Sequence, residues 1–128
     1  EALMLHKLRK DGFAYLEPIG GYGRLYTRPL IPHDGILALN YKAPAGSVLV
    51  QIRETNKKPI PGFTFEECIP LKGDETAGMV RWKNNENMKS LIEKPVKVEI
   101  KMINARLYAL KMESKLWFGN TPEPTDRL

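Results

Sequence analysis

The sequence predicts an all-β domain: an antiparallel two-sheet β-sandwich of jelly-roll type, with at most one short helical turn. Three observations carry that reading. Short segments of alternating apolar and polar residues recur at roughly ten-residue spacing, the pattern of a sandwich or barrel. Turn residues separate them, with ten glycines and ten prolines in 128 residues. Helical periodicity is nearly missing, so the crossover helices of about ten or more residues that a parallel sheet needs have no place.

In chain order, Leu3 to Lys10 and Phe13 to Glu17 read as a hairpin around Asp11-Gly12, both of which tolerate positive φ. A two-residue loop there sets Leu8 opposite Tyr15 and His6 opposite Glu17. The Gly-rich stretch from Pro18 to Gly23 is a loop. Arg24 to Ile31 follows as a strand in which Pro29 marks an edge or bulge. Turns are expected at Pro32 to Gly35 and at Ala43 to Gly46. Between them Ile36 to Tyr41 puts Leu37, Leu39 and Tyr41 on one side. Ser47 to Glu54 alternates cleanly, with Val48, Val50 and Ile52 inward and Gln51 and Arg53 outward.

Phe63 to Ile69 reads equally as a short strand or an irregular loop, Pro70 to Ala77 as a loop, and Met79 to Trp82 as a short strand. Asn87 to Lys94 is the one helical turn, covering an end of the core with Met88 and Leu91 and stopped by Pro95. Val96 to Met102 is the clearest strand, apolar at Val96, Val98, Ile100 and Met102. Arg106 to Glu113 returns with Tyr108, Leu110 and Met112 on one face, and Leu116 to Phe118 adds a last short strand. Residues 1–120 are expected to form a single sandwich domain, and 121–128, TPEPTDRL, a tail or linker.

Composition narrows the function classes. The net charge is +5, but the longest basic runs are Arg9-Lys10 and Lys57-Lys58. Scattered lysines on strand faces are the pattern of solvated surfaces, and a nucleic-acid partner is not expected. No apolar run reaches the ~20 residues of a membrane helix, so no membrane partner is expected. A lone cysteine, Cys68, excludes an internal disulfide and reads as a small buried residue. The chain begins at Glu1 and is expected to be a piece of something longer.

Catalytic signatures are absent. The two histidines, His6 and His33, lie in separate elements, and no HExxH, CxxC or phosphate-binding glycine loop before a helix occurs. A glycosidase needs two carboxylates facing the scissile bond. Glu66-Glu67 are neighbours and would point to opposite faces of a strand, while Glu54, Glu99 and Glu113 look like solvated strand positions. Asp74-Glu75 could contribute to a structural Ca²⁺ site, but the run of spaced acids such a site needs is missing, so no metal or cofactor is assigned. Carbohydrate contact is expected from exposed aromatic faces with polar neighbours. The candidates are Tyr22, Tyr26, Arg28 and Trp82, with Arg24 and Arg28 on Tyr26's side of the strand. Trp82 shares strand parity with Val80, which makes it a core residue first and a platform second. Trp117 and Phe118, near the end of the chain, are the candidates for contact with a neighbouring domain.

The order of these signals resembles a known family. It runs LRKDGFAYLEP, GRLYTRPLI, GILALNYKAPAGSVLVQIRE, KPIPGFTFEECIPLKGDE, VRW and KPVKVEIKMINARLYAL, from about Leu8 to Met112. It is similar to the C-terminal accessory β-sandwich of bacterial glycoside hydrolase proteins, where it follows a five-bladed propeller like those of families 32 and 43. Asn56-Lys57-Lys58 departs from the Asp-x-x-Gly hairpin turn of that pattern, so a different turn is expected there. In that family the catalytic carboxylates belong to the propeller. The resemblance therefore implies a non-catalytic accessory domain that packs on the catalytic domain of the same parent chain, contacts carbohydrate, or both. A bacterial setting is implied, extracellular ahead of cytoplasmic. The alternatives are a stand-alone carbohydrate-active enzyme with a dispersed carboxylate pair and, behind it, a basic nucleic-acid-binding β-barrel.

Overall fold

The structure, a computed structural model, describes residues 6–7, 13–16 and 22–117. It is all-β and antiparallel apart from one 3₁₀ turn. The strands are β1 (His6–Lys7), β2 (Phe13–Leu16), β3 (Tyr22–Thr27), β4 (Leu30–Glu54), β5 (Leu71–Met79), β6 (Val96–Ile103) and β7 (Arg106–Leu116). No helix among the described residues is long and apolar enough to cross a membrane.

Two separate sheets are expected from the sequence. The described strands instead join into one sheet in the order β1-β7-β4-β6-β3-β2, with β5 added on β4. The joint is β4, 25 residues long, which runs through both expected turns. Its first part pairs with β7, from Leu30 opposite Leu116 to Lys42 opposite Arg106. Its last part pairs with β6, from Ser47 opposite Ile103 to Glu54 opposite Val96, positions that run in opposite directions as in an antiparallel ladder. The turn signals survive as deformations of one strand. Residues 33–36 oppose the single residue Glu113, a bulge closed by the Asp34 carboxylate accepting the Ile36 N–H at 3.0 Å. Near the second, at Gly46, a Cβ would strike the Ile103 carbonyl oxygen, so only glycine fits where β4 closes on β6.

The sheet folds over on itself. One core cluster unites Leu37, Leu39 and Tyr41 of β4's first part with Val48, Val50 and Ile52 of its last, together with Ile100 of β6 and Leu110 of β7. Chain length agrees. A flat sheet would set β1 and β2, its two ends, about 24 Å apart at ~4.8 Å per strand, yet the six steps from Lys7 to Phe13 reach at most about 21 Å.

Several local expectations change. Pro70 to Ala77 was expected as a loop, but Leu71–Met79 is a strand against Ala38–Val48. Its own residues favour strands poorly, and pairing overrides that preference. Its nearly continuous exposure and its charges suit an edge. Tyr108 was expected inward with Leu110 and Met112 but is 43% exposed. It is the extra residue where Asn40 faces Ala109 and Tyr41 faces Leu107, and a bulge reverses side-chain parity. Phe13–Leu16 pairs with β3, and His6–Lys7 with β7. The Asp11-Gly12 turn and the Leu8–Tyr15 and His6–Glu17 pairs of the expected hairpin rest on positions outside the described residues. The helical turn is present at Lys89–Leu91, with Met88 and Leu91 buried as expected.

At the departure from the family pattern, Lys57 adopts φ +75, a left-handed conformation that suits glycine. Gly35 also has positive φ, +74, and a Cβ there would lie 2.7 Å from the Lys89 backbone. Urea unfolding of two variants should therefore move in opposite directions. Lys57→Gly should gain about 0.5 kcal/mol, the left-handed penalty less glycine's unfolded-state entropy. Gly35→Ala should lose about 2–3 kcal/mol. A neutral Gly35→Ala would mean the bulge is not held as described.

Candidate functional site

The alternation of three adjacent strands sorts their residues onto two faces. Leu25 of β3, Val48, Val50 and Ile52 of β4, and Val98, Ile100 and Met102 of β6 enter the core. The opposite face carries Arg24 and Tyr26, Gln51 and Arg53, and Lys97, Glu99 and Lys101. Register places Arg24 beside Lys101, and both Tyr26 and Gln51 beside Glu99.

Glu99, expected to be solvated, is 3% exposed and lies at the centre of this face. Arg24 Nε donates to its Oε2 at 2.6 Å, and Gln51 Nε2 donates to its Oε1 at 3.0 Å. Arg53 Nε lies 2.5 Å from Oε1 but off the direction of a hydrogen bond, so that contact is an ion pair. Arg53 also donates from Nη1 to the Lys57 carbonyl at 2.9 Å. A carboxylate taken out of water is tolerated when its oxygens are paired and hydrogen-bonded, as here.

The 62–68 loop lies over one side of the face. The Phe65 N–H donates to Gln51 Oε1 at 3.1 Å, and the Phe65 ring takes Arg24 at 5.3 Å and Lys101 at 4.9 Å from its centroid. Lys97 sits 5.4 Å from the centroid of Tyr26. The loop's own shape comes from Thr64-x-x-Glu67, a capping-box spacing. Glu67 Oε1 accepts the Gly62 N–H at 2.8 Å and the Thr64 hydroxyl at 2.8 Å, while the Glu67 N–H meets Thr64 Oγ1 at 3.3 Å. The Thr64 hydroxyl foremost, with the Thr64 and Gly62 amides and the Lys83 charge, holds this carboxyl below its usual range against an opposing effect of burial. The stability so gained is fully present above the unfolded carboxyl's pKa and is lost as pH falls through the lowered one.

Behind the loop, two side chains complete β4's edge. The Val50 N–H donates to Cys68 Sγ at 3.3 Å, and the Trp82 indole N–H donates to the Val50 carbonyl at 3.0 Å. Trp82 is 1% exposed and packs edge-on against Phe63, centroids 5.0 Å apart. Trp82 is therefore core and presents no platform to a ligand, correcting its place among the carbohydrate-binding candidates. Burial pushes the Cys68 thiol up to about 11, the Val50 amide opposing, which keeps it an unreactive thiol.

Of the other expected site residues, Tyr26 lies half-buried on the basic face. Arg28 is exposed just past the end of β3. Tyr22 opens β3 opposite Ile103, and its side chain lies outside the described residues. Trp117 is half-buried and its N–H donates to the Pro29 carbonyl at 3.0 Å, while Phe118 lies outside the described residues. Asp74 and Glu75 lie on exposed β5, and no group of three His, Cys, Asp or Glu forms among the described residues. The residues missed by sequence reasoning are Glu99, Gln51, Arg53, Lys97, Lys101 and Phe65. Phe65 apart, their signal was the shared outward parity of QIR and KVEIK, which gains meaning only once β4 and β6 are known to pair.

An open groove of about 750 Å³ follows β5 and is lined by Ile36, Tyr41, Ile69, Glu75, Met79 and Arg81 among others. The Tyr41 hydroxyl donates to the Lys72 carbonyl at 2.9 Å, and burial, then Glu75 and Asp74, raise its pKa. Glu75 and Glu86 both line the groove, and both are exposed.

No family model, curated protein or solved structure matches the chain.

Because Glu99 holds two guanidinium groups together, Glu99→Gln should cost about 1–3 kcal/mol in urea unfolding. A change under about 0.3 kcal/mol would mean that the carboxylate does not organise the face.

Proposed function

We propose that this chain is a non-catalytic accessory β-domain of a glycosidase-like protein, contacting carbohydrate through the outer face of β3, β6 and β4. The observation that carries the reading is Tyr26, a half-buried aromatic beside Lys97 on a face where a buried carboxylate fixes Arg24, Gln51 and Arg53. Sugar recognition uses polar side chains held in fixed positions beside an aromatic ring, the side chains bonding the oxygens of the ligand and the ring bordering them. A sheet face presents them more rigidly than a loop does. The sequence resemblance to accessory sandwiches of glycoside hydrolase proteins supports the same role. Catalysis is assigned to a separate domain of the parent chain, and the Trp117 end, tied to Pro29, is the surface assigned to that domain.

The test is affinity electrophoresis of the chain through gels containing a panel of neutral and acidic polysaccharides. Retardation by at least one of them, weakened at least threefold by Tyr26→Ala in a variant that still unfolds cooperatively, is the expected outcome; a threefold loss is the size of a modest surface contact. Free migration in every gel would remove the carbohydrate-contacting role. Hydrolysis of aryl-glycosides by the chain, abolished by Glu75→Gln or Glu86→Gln, would favour the enzyme alternative instead.

A further inference from the structure

We infer that the ligand of the β3–β6–β4 face is an anionic polysaccharide, bearing carboxylate or sulfate groups, and not a neutral one. The inference rests on the carbohydrate reading above and deepens it.

Charge is the first argument. Among the described residues, the outward positions of β3, β6 and β4 bring the positive charges of Arg24, Arg53 and Lys97 to this face against one carboxylate, Glu99. Glu99 does not cancel them. It accepts only Nε from Arg24, whose side chain remains 31% exposed, and it touches Arg53 at Nε, leaving that side chain 24% exposed.

The aromatic faces give the second argument. A neutral pyranose ring needs an open aromatic face, but Lys97 stands over Tyr26, and Arg24 and Lys101 stand over Phe65. Stacking a neutral ring there would displace a cation–π contact. An anionic group binds those same cations where they stand. The same coverage removes the stacking platforms that a single-stranded nucleic acid would use.

The third argument is spacing. Lys97 and Lys101 are four residues apart on β6, about 13 Å at 3.3 Å per residue. Arg24 and Arg53 flank Glu99 from the strands on either side. The charges form a band along and across the sheet instead of converging on a point. A band suits an extended chain with repeating negative groups better than a single small anion.

The test titrates the full chain with polygalacturonate, dextran sulfate, a neutral β-glucan and duplex DNA, at low and at physiological salt. Binding to polygalacturonate or dextran sulfate, weakening as salt rises, is expected, and the tighter of the two identifies the acidic group. Lys97→Gln and Lys101→Gln should each weaken it about threefold, the size of an exposed ion pair. Lys97→Arg should restore binding, and each variant should still unfold in one cooperative transition. Equal binding of the neutral glucan, indifferent to both substitutions, would overturn the anionic ligand and leave the carbohydrate role standing. Binding to no polysaccharide would overturn both, and tighter binding to duplex DNA would overturn both in favour of a nucleic-acid partner.

Discussion

Every layer of this structure depends on satisfying both edges of β4. A 25-residue strand carries backbone donors and acceptors on two sides, and any left buried and unpaired would cost about 1–3 kcal/mol each. Its first part is served by β7 and β5, and its last part by β6 on one side. On the remaining side the chain improvises. Ile52 exchanges backbone hydrogen bonds with Phe63 and Ile60, and Glu54 bonds Lys58. At Val50, no strand is alongside, and Cys68 and Trp82 take the N–H and the carbonyl. A lone cysteine and a tryptophan thus serve as substitutes for a neighbouring strand.

The basic face follows from that arrangement. Bringing β6 beside the end of β4 and β3 beside β6 stacks Gln51, Glu99 and Tyr26 in a row across the sheet. The loop that completes the edge at Val50 also delivers Phe65, so one segment closes the core on its inner side and fixes the outer face on the other. Glu99 makes the face specific at some energetic cost. A hydrophobic residue there could be as stable, but it would not hold two guanidinium groups in register. Side chains already fixed lose less entropy when a ligand arrives.

Much of the fold was legible because alternation over a few residues is a local signal. The inward sets of β4 and β6, from Val48 to Ile52 and Val96 to Met102, needed nothing beyond their own segments. The signals that failed were those whose meaning depends on a distant partner. Pro32 to Gly35 and Ala43 to Gly46 carry turn residues, yet the chain bulges and bends there within one strand because β7, β5 and β6 hold it on both sides of each deformation. Leu71–Met79 becomes a strand only because β4 is beside it, and Tyr108 turns outward only because β7 bulges opposite Asn40 and Tyr41. The candidate site divided in the same way. Tyr26 was accessible to local reasoning about an aromatic between arginines. Glu99 was not, because its burial is produced by Arg24, Gln51 and Arg53, which lie 46 to 75 residues away in the chain. Trp82 read as core ahead of platform from its parity with Val80, and its burial and its indole N–H bond to Val50 leave only the core role.

The claim that one strand unites the molecule is tested most directly by native-state amide hydrogen exchange along β4. If both ladders depend on it, the protected amides of Leu37–Asn40 and of Val48–Ile52 should exchange with a single free energy equal to that of global unfolding. The exposed edge strand β5 should open at a lower one. Distinct opening free energies for the two parts of β4, with the last part exchanging while the first stays closed, would contradict the account and describe two sheets that only happen to share a chain.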